Sequence, residues 1–89
     1  MKLIVLYKPM SEHATEVESY VRDLGHEHDE ISQKTELVSV DTREGADMAE
    51  LYDIMSYPTI LALADNGSIL NMWAGMPLPL MNEVAGYVT

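Results

Sequence analysis

The dipeptide Asn66-Gly67 constrains the fold of this chain more than any other local feature, because it separates two apolar runs, residues 59–64 and 69–73. Asn-Gly is the preferred sequence of a type I′ turn, in which both central residues adopt φ > 0. A tight turn of this kind joins antiparallel neighbours in a sheet. The two runs are therefore predicted to be paired strands of a hairpin.

Two further strands are predicted in the N-terminal half. Residues 3–7 are a continuous apolar run of strand length, and residues 36–41 show a second strand pattern around Leu37 and Val38. A helix pattern separates these two runs, and a strand–helix–strand crossover makes its strands parallel. Together with the hairpin, this predicts a mixed four-stranded sheet.

Apolar residues at helical spacing predict three helices. The first follows Ser11, whose hydroxyl can cap a free N–H group, and ends at Gly25, a residue type favoured just beyond a helix. The second spans residues 43–55 and the third begins near Pro79. The order is β-α-β-α-β-β-α, and the predicted fold class is α/β with helices on both faces of the sheet.

Composition narrows the possible functions. Fifteen acidic and five basic residues give the 89-residue chain a net charge of −10, which repels phosphate backbones and anionic membranes. We therefore expect no nucleic-acid or membrane partner. The apolar run near the N-terminus is shorter than the core of a signal peptide, and no run approaches the roughly 18 residues of a membrane span. We expect one domain over residues 1–89 and a cytoplasmic location.

The middle of the chain resembles thioredoxins. In these proteins a helix ending in Tyr-x-Ile is followed by x-x-Pro-Thr and an apolar strand, which matches residues 51–61, Leu-Tyr-Asp-Ile-Met-Ser-Tyr-Pro-Thr-Ile-Leu. Val40-Asp41 before this segment and Gly75 after the hairpin extend the match. The resemblance to the thioredoxin-like superfamily, which includes thioredoxins and glutaredoxins, covers essentially the whole chain. It implies the thioredoxin-like fold for residues 1–89.

The redox motif of that superfamily is missing. The alignment places Ser11, Glu12, His13 and Ala14 at the four positions of Cys-x-x-Cys, and the chain contains no cysteine. A thiolate attacks a disulfide, whereas a serine hydroxyl stays protonated and forms no disulfide. We therefore expect no catalytic residue and no cofactor in the chain as it stands, although the resemblance would otherwise imply a thiol–disulfide oxidoreductase.

The resemblance also implies a place for a partner. It implies a cis Tyr57–Pro58 bond, with Tyr57 offering its backbone groups to an extended protein or peptide segment, as in β-augmentation. Four methionines fall on faces that the predicted elements turn to the core: Met48, Met55, Met72 and Met81. The methionines that flank Tyr57 complete a predicted partner-binding groove of six residues: Met10, Ser11, His13, Tyr57, Pro58 and Met76.

Other interpretations of the same residues stay open. The chain could be an oxidoreductase whose Cys-x-x-Cys was replaced at Ser11 and Ala14. A third hypothesis is a metal-binding accessory protein that uses His26 and His28, with carboxylates nearby in sequence. A solvated connector is the simpler interpretation of that segment. Similarly, Ser11 is favoured as a helix cap over a nucleophile activated by His13.

Overall fold

The computed structural model describes residues 2–27, 31 and 33–87, and four strands in this part of the chain form one sheet. They are β1 (Lys2–Tyr7), β2 (Thr35–Ser39), β3 (Thr59–Leu63) and β4 (Ile69–Ala74). The strand order is β2-β1-β3-β4. β1 is parallel to β2 and antiparallel to β3, and β3 is antiparallel to β4. The predicted mixed four-stranded sheet is confirmed.

The continuous apolar run near the N-terminus forms a central strand because both of its faces are covered. Leu3 and Val5 lie in the core cluster on one face of the sheet, and Ile4 and Leu6 lie in the cluster on the other. All four side chains are almost completely buried. The part of β1 that is covered on both faces is therefore apolar at each position from Leu3 to Leu6.

Within the described residues, three helices pack on the two faces: α1 (Ala14–Glu27), α2 (Arg43–Leu51) and α3 (Met81–Ala85). α1 and α3 cover one face, where Val17 and Val84 join the cluster of β1 and β3. α2 covers the other face, where Met48 packs against that face's cluster. The predicted α/β class and the order β-α-β-α-β-β-α are confirmed. No helix within the described residues is long and apolar enough to cross a membrane.

Both predicted ends of the first helix are wrong. The helix begins at Ala14, and the Ser11 hydroxyl donates to the Lys8 carbonyl over 2.5 Å, so Ser11 is not the cap of a helix N–H group. Gly25 does not end the helix, which continues to Glu27. The reason is conformational: Gly25 lacks the positive φ with which glycine closes a helix.

The second helix is shorter than predicted. It ends at Leu51, and Asp53 then adopts the left-handed conformation with φ 55°. Met55 therefore lies beyond the helix and is 86% exposed, which corrects its expected place in the core. Met72 is also more exposed than expected, because β4 is an edge strand.

The hairpin joins the predicted strands through a different turn. Gly67 has φ 88°, but Asn66 does not have a positive φ, so the turn is not type I′. The Gly67 N–H donates to the Ala64 carbonyl and the Ala64 N–H donates to the Ser68 carbonyl, each over 2.9 Å. This is a three-residue loop in which a type I turn is followed by a left-handed glycine. The Asn66 side chain accepts from the Ser68 N–H over 3.0 Å, and this hydrogen bond stabilises the loop.

Candidate functional site

Three loops meet at one end of the sheet, and each carries residues of the predicted groove. β1 ends where β3 begins, because Leu6 pairs with Thr59. β4 ends at the same place, since Thr59 pairs with Ala74 and the Gly75 N–H donates to the Pro58 carbonyl over 2.7 Å. The β1–α1, α2–β3 and β4–α3 loops therefore lie next to one another.

The segment before β3 is held by buried neighbours. The Tyr57–Pro58 peptide bond is cis, as the resemblance implies. Pro58 and Thr59 are buried, and the Thr59 hydroxyl donates to the Ser56 carbonyl over 2.7 Å. Tyr57 is half-buried, with one side against the core cluster under α2. The rest of its surface is open to solvent.

Two methionines of the neighbouring loops are exposed. Met10 is 100% exposed and has a left-handed backbone with φ 65°. Met76 is 45% exposed and is followed by a second cis bond, Met76–Pro77, which the sequence analysis did not anticipate. A non-glycine residue at positive φ costs roughly 1 kcal/mol or more, so the conformation of Met10 is an unusual one to retain in a solvent-exposed loop.

Ser11 and His13 both turn back toward Lys8. The Ser11 N–H and hydroxyl contact the Lys8 carbonyl, and the Lys8 N–H donates to His13 Nε2 over 3.4 Å. The serine hydroxyl is thus a donor to the backbone, with its proton directed away from the imidazole. This arrangement organises the loop and does not set up a nucleophile and its base.

The fold of the chain is similar to that of solved thioredoxin structures. No protein-family model and no curated protein sequence matches the chain. Among solved structures, thioredoxin 1 of Thermosipho africanus superposes with a TM-score of 0.69 at 15% identity, over 99% of this chain and 90% of that one. The germline-specific thioredoxin Deadhead of Drosophila melanogaster superposes with a TM-score of 0.63 at 29% identity, over 96% of this chain and 76% of its own. A malarial protein gives a TM-score of 0.64 at 19% identity, over 99% and 94%.

The chain is a member of the thioredoxin-like superfamily. In this thioredoxin-like protein the four positions of the redox motif hold no sulfur. Ala14 is buried at the start of α1, and Glu12 is exposed. The Ala14 N–H donates to the Ser11 carbonyl over 3.2 Å, so the two outer positions of the motif lie within one turn of each other. The segment that the sequence aligns with the redox motif therefore forms a hydrogen-bonded turn without sulfur.

A part-buried polar contact joins β1 to α1 next to this loop of the thioredoxin-like protein. The Tyr7 hydroxyl donates to Glu18 Oε2 over 2.8 Å. That hydrogen bond, followed by burial and the carboxylate charge, raises the pKa of Tyr7. The contact ties the end of β1 to α1. This contact could not be predicted from the sequence, because a separation of 11 positions between the two residues gives no periodic signal.

The candidate metal residues are separated from the groove. His26 lies in the last turn of α1, and not in a connector as expected, whereas His28 lies outside the described residues. His13 precedes the other end of α1, about 20 Å away along a 14-residue helix. Within the described residues, no group of three or more His, Asp and Glu side chains is placed to hold a metal ion.

A cavity lies at the opposite end of the sheet. It has a volume of about 580 Å³ and is open to solvent between α2 and the β3–β4 hairpin. Lys2, which pairs with Leu63, marks this end. The cavity was not predicted from the sequence, and it is lined by Lys2, Met48, Leu51, Tyr52, Leu63, Ala64, Asp65, Asn66 and Gly67. It gives a second surface against which any binding at the groove must be tested.

Proposed function

We propose that this thioredoxin-like protein is a redox-inactive binding module. Its site is the Tyr57–Pro58 groove, formed by Met10, Ser11, His13, Tyr57, Pro58 and Met76, and its partner is an extended protein or peptide segment. A protein without cysteine performs no cysteine-based exchange. Binding to an extended segment needs only backbone hydrogen bonds and apolar contact, which this end of the sheet offers.

The exposure of Met10 carries the proposal. Its side chain is fully exposed on a left-handed backbone, in the loop that lies beside Tyr57. Strained and exposed apolar residues are costly in a free protein and cluster at binding sites. Methionine also adapts its shape to different apolar partners. Tyr57 and the 45%-exposed Met76 would extend the same contact on the two neighbouring loops.

The chemistry of the partner follows from the charge of the module. With a net charge of −10, the protein repels acidic segments at long range. An apolar side chain in the partner would contact the methionines and Tyr57. Neutral or basic residues beside it would avoid repulsion from the acidic surface. We therefore expect an extended segment with an apolar anchor and no run of acidic residues.

The proposal is tested with peptides selected for binding to the immobilised protein from a displayed random library. Met10→Glu combined with Tyr57→Glu should weaken the selected peptides by about tenfold or more, because two central apolar contacts are replaced by charges. The matched control is Leu51→Glu, which introduces a charge at a 74%-exposed leucine beside the distant cavity. Full affinity in the folded double variant, or loss of binding in Leu51→Glu alone, would contradict the groove.

A second candidate function is that of a thiol–disulfide oxidoreductase whose Cys-x-x-Cys has been replaced at Ser11 and Ala14 in this chain. The hydrogen bond between these residues favours it, because it holds the two positions within one turn. The native gene sequence distinguishes this alternative directly.

We also propose a cytoplasmic location for the module. The short apolar run near its N-terminus forms the central strand β1. Fractionation of native cells against compartment markers tests this location, and recovery with a secreted or organelle marker would contradict it.

A further inference from the structure

The free edge of β4 differs from the rest of the surface in charge. Residues 66–82 contain no charged residue, although the chain carries 15 acidic and five basic residues elsewhere. This uncharged stretch includes all of β4, which is an edge strand with β3 as its neighbour. The other edge strand, β2, contains Glu36, which pairs with Lys2 over 3.9 Å. Charged side chains normally protect edge strands from pairing with another chain, and β4 has none.

The side of β4 that continues the α2 face is apolar and exposed. Met72 pairs with Leu61, which belongs to the core cluster under α2, so Met72 lies on that face. Leu70 and Met72 are nonetheless 49% and 39% exposed, which shows that α2 does not cover the edge. An uncharged strand with apolar side chains on one face is a template for a further strand.

Some of the backbone N–H groups of β4 already have hydrogen-bond partners within the protein. The Gly75 N–H points toward β3, where it donates to the Pro58 carbonyl. Because the direction of these groups alternates along a strand, the Met72 N–H points away from the sheet. This N–H already has a partner within the protein, because it donates to Asn71 Oδ1 over 2.8 Å.

Tyr87, which follows α3, holds the Asn71 side chain in place. Asn71 Nδ2 donates to the Tyr87 hydroxyl over 3.0 Å. The Tyr87 ring packs edge-on against Trp73 with 5.4 Å between the ring centres. Asn71, Trp73 and Tyr87 thus form one unit, the edge latch, which covers the central outward N–H of β4.

We propose that the β4 edge is a self-association surface for a second copy of this chain, and that the edge latch holds it closed. The charge distribution of the chain favours a second copy as the occupant of this edge. Two chains of net charge −10 repel each other, and the uncharged stretch is where they can approach with the least repulsion. A strand edge is also self-complementary about a two-fold axis, as a dimer interface must be.

The antiparallel pairing of two β4 strands forms backbone hydrogen bonds and brings no acidic side chains together. With Met72 opposite Met72 of the second copy, the outward N–H and C=O groups of the two methionines pair across the axis. Leu70, at the irregularity where the β3–β4 register shifts, lies opposite Ala74. In this register Asp65 extends toward the second copy's Pro79 and meets no acidic residue. Opening the edge requires Asn71 to release the Met72 N–H, so the latch and the dimer exclude each other.

The test compares self-association by sedimentation equilibrium in the wild type and two latch variants. Asn71→Val removes the side chain that occupies the edge, and Tyr87→Phe removes only the hydroxyl that holds it. Each should lower the dimer dissociation constant by about tenfold or more relative to the wild type. Asn71→Val combined with Met72→Lys should return to wild-type behaviour, because a lysine on the edge blocks pairing.

Far-ultraviolet circular dichroism and thermal unfolding establish that each variant is folded. If both folded latch variants associate no more tightly than the wild type, the proposal is overturned. Association that persists in the Met72→Lys background, or growth into filaments instead of dimers, overturns the two-fold β4 pairing. Tyr87→Phe keeps the ring and the strand intact, so the test holds even if Asn71→Val does not fold.

Discussion

At Gly45, a side chain of any size would collide with the neighbouring strand. This glycine lies in the first turn of α2, where the Thr42 hydroxyl accepts from its N–H over 3.0 Å. A Cβ atom built on it would be 1.9 Å from the Ser39 carbonyl oxygen, which is far inside van der Waals contact. The close approach of α2 to the end of β2 therefore depends on this residue.

Gly45→Ala should lower the free energy of unfolding by about 1–3 kcal/mol, because the backbone of α2 or β2 must move to accept the methyl group. The matched control is Gly86→Ala, where the added Cβ would be 3.5 Å from its nearest neighbour and φ is −60°. That variant should be neutral or slightly stabilising. Denaturant unfolding measures both, and equal effects of the two substitutions would contradict the close approach.

The motif positions allow a gain-of-chemistry experiment at the same scale. Ser11 and Ala14 lie within one hydrogen-bonded turn, a separation that a disulfide can bridge. Ser11→Cys combined with Ala14→Cys should therefore form an intramolecular disulfide on mild oxidation and acquire measurable insulin reductase activity. The wild type should show none. Thiol titration of the oxidised variant checks the bond, and two free thiols in the folded protein would contradict the geometry.

Among the helices, α1 is tied to the segment before α3 by a part-buried hydrogen bond. The Tyr20 hydroxyl donates to the Pro79 carbonyl over 2.8 Å. Burial, with a smaller contribution from the charge of Glu83, raises the pKa of Tyr20 from 10.0 to about 12. The bond holds the uncharged β4–α3 loop against the helix that follows the groove.

This shift predicts how stability depends on pH. Because the folded protein favours protonated Tyr20, the stabilising contribution is complete below pH 10 and is lost as the pH rises from 10 to about 12. Tyr20→Phe should be less stable than the wild type at neutral pH, and the difference should shrink over that interval. Denaturant unfolding at stepped pH measures it. A difference that grows with rising pH would contradict the assignment.

Element types could be predicted from the sequence better than element ends. The apolar run predicted β1 and the Asn66-Gly67 turn predicted the hairpin of β3 and β4, because hydrophobic runs and turn sequences are local signals. The ends of α1 could not be predicted, since Ser11 and Gly25 carry the usual residue types for capping but the tertiary structure uses them otherwise. The turn type differed because Asn66 accepts from the Ser68 N–H instead of adopting a positive φ.

The groove residues could be located only through the resemblance. Met10, Tyr57 and Met76 are far apart in sequence, and the sheet register brings their loops to one end. Their role in binding stays a prediction. The large cavity and the edge latch could not be predicted, because both depend on how α2 and the C-terminal residues pack across the sheet.

At the scale of the whole molecule, like charges dominate. With 15 acidic and five basic residues, the folded chain concentrates negative charge in a particle with a radius of gyration of 12.0 Å. Unfolding separates these charges, so repulsion opposes the folded state. Salt screens repulsion between exposed charges over about 10 Å at 0.1 M ionic strength.

The melting temperature should therefore rise as sodium chloride is increased from about 0.01 M to about 0.5 M. Thermal unfolding followed by circular dichroism measures the change, and potassium chloride at the same concentrations controls for binding of a particular cation. A melting temperature that falls with both salts would show that repulsion does not limit stability.

The central claim is that this thioredoxin-like protein binds an extended segment at the Tyr57–Pro58 groove without thiol chemistry. The most direct test is a nuclear magnetic resonance titration of the isotope-labelled protein with a selected peptide. We predict that the largest shifts occur in residues 8–13, 56–58 and 75–77, the three loops at one end of the sheet. Shifts concentrated at Lys2, Leu51 and Gly67, with the three loops unchanged, would place binding at the opposite end and contradict the claim.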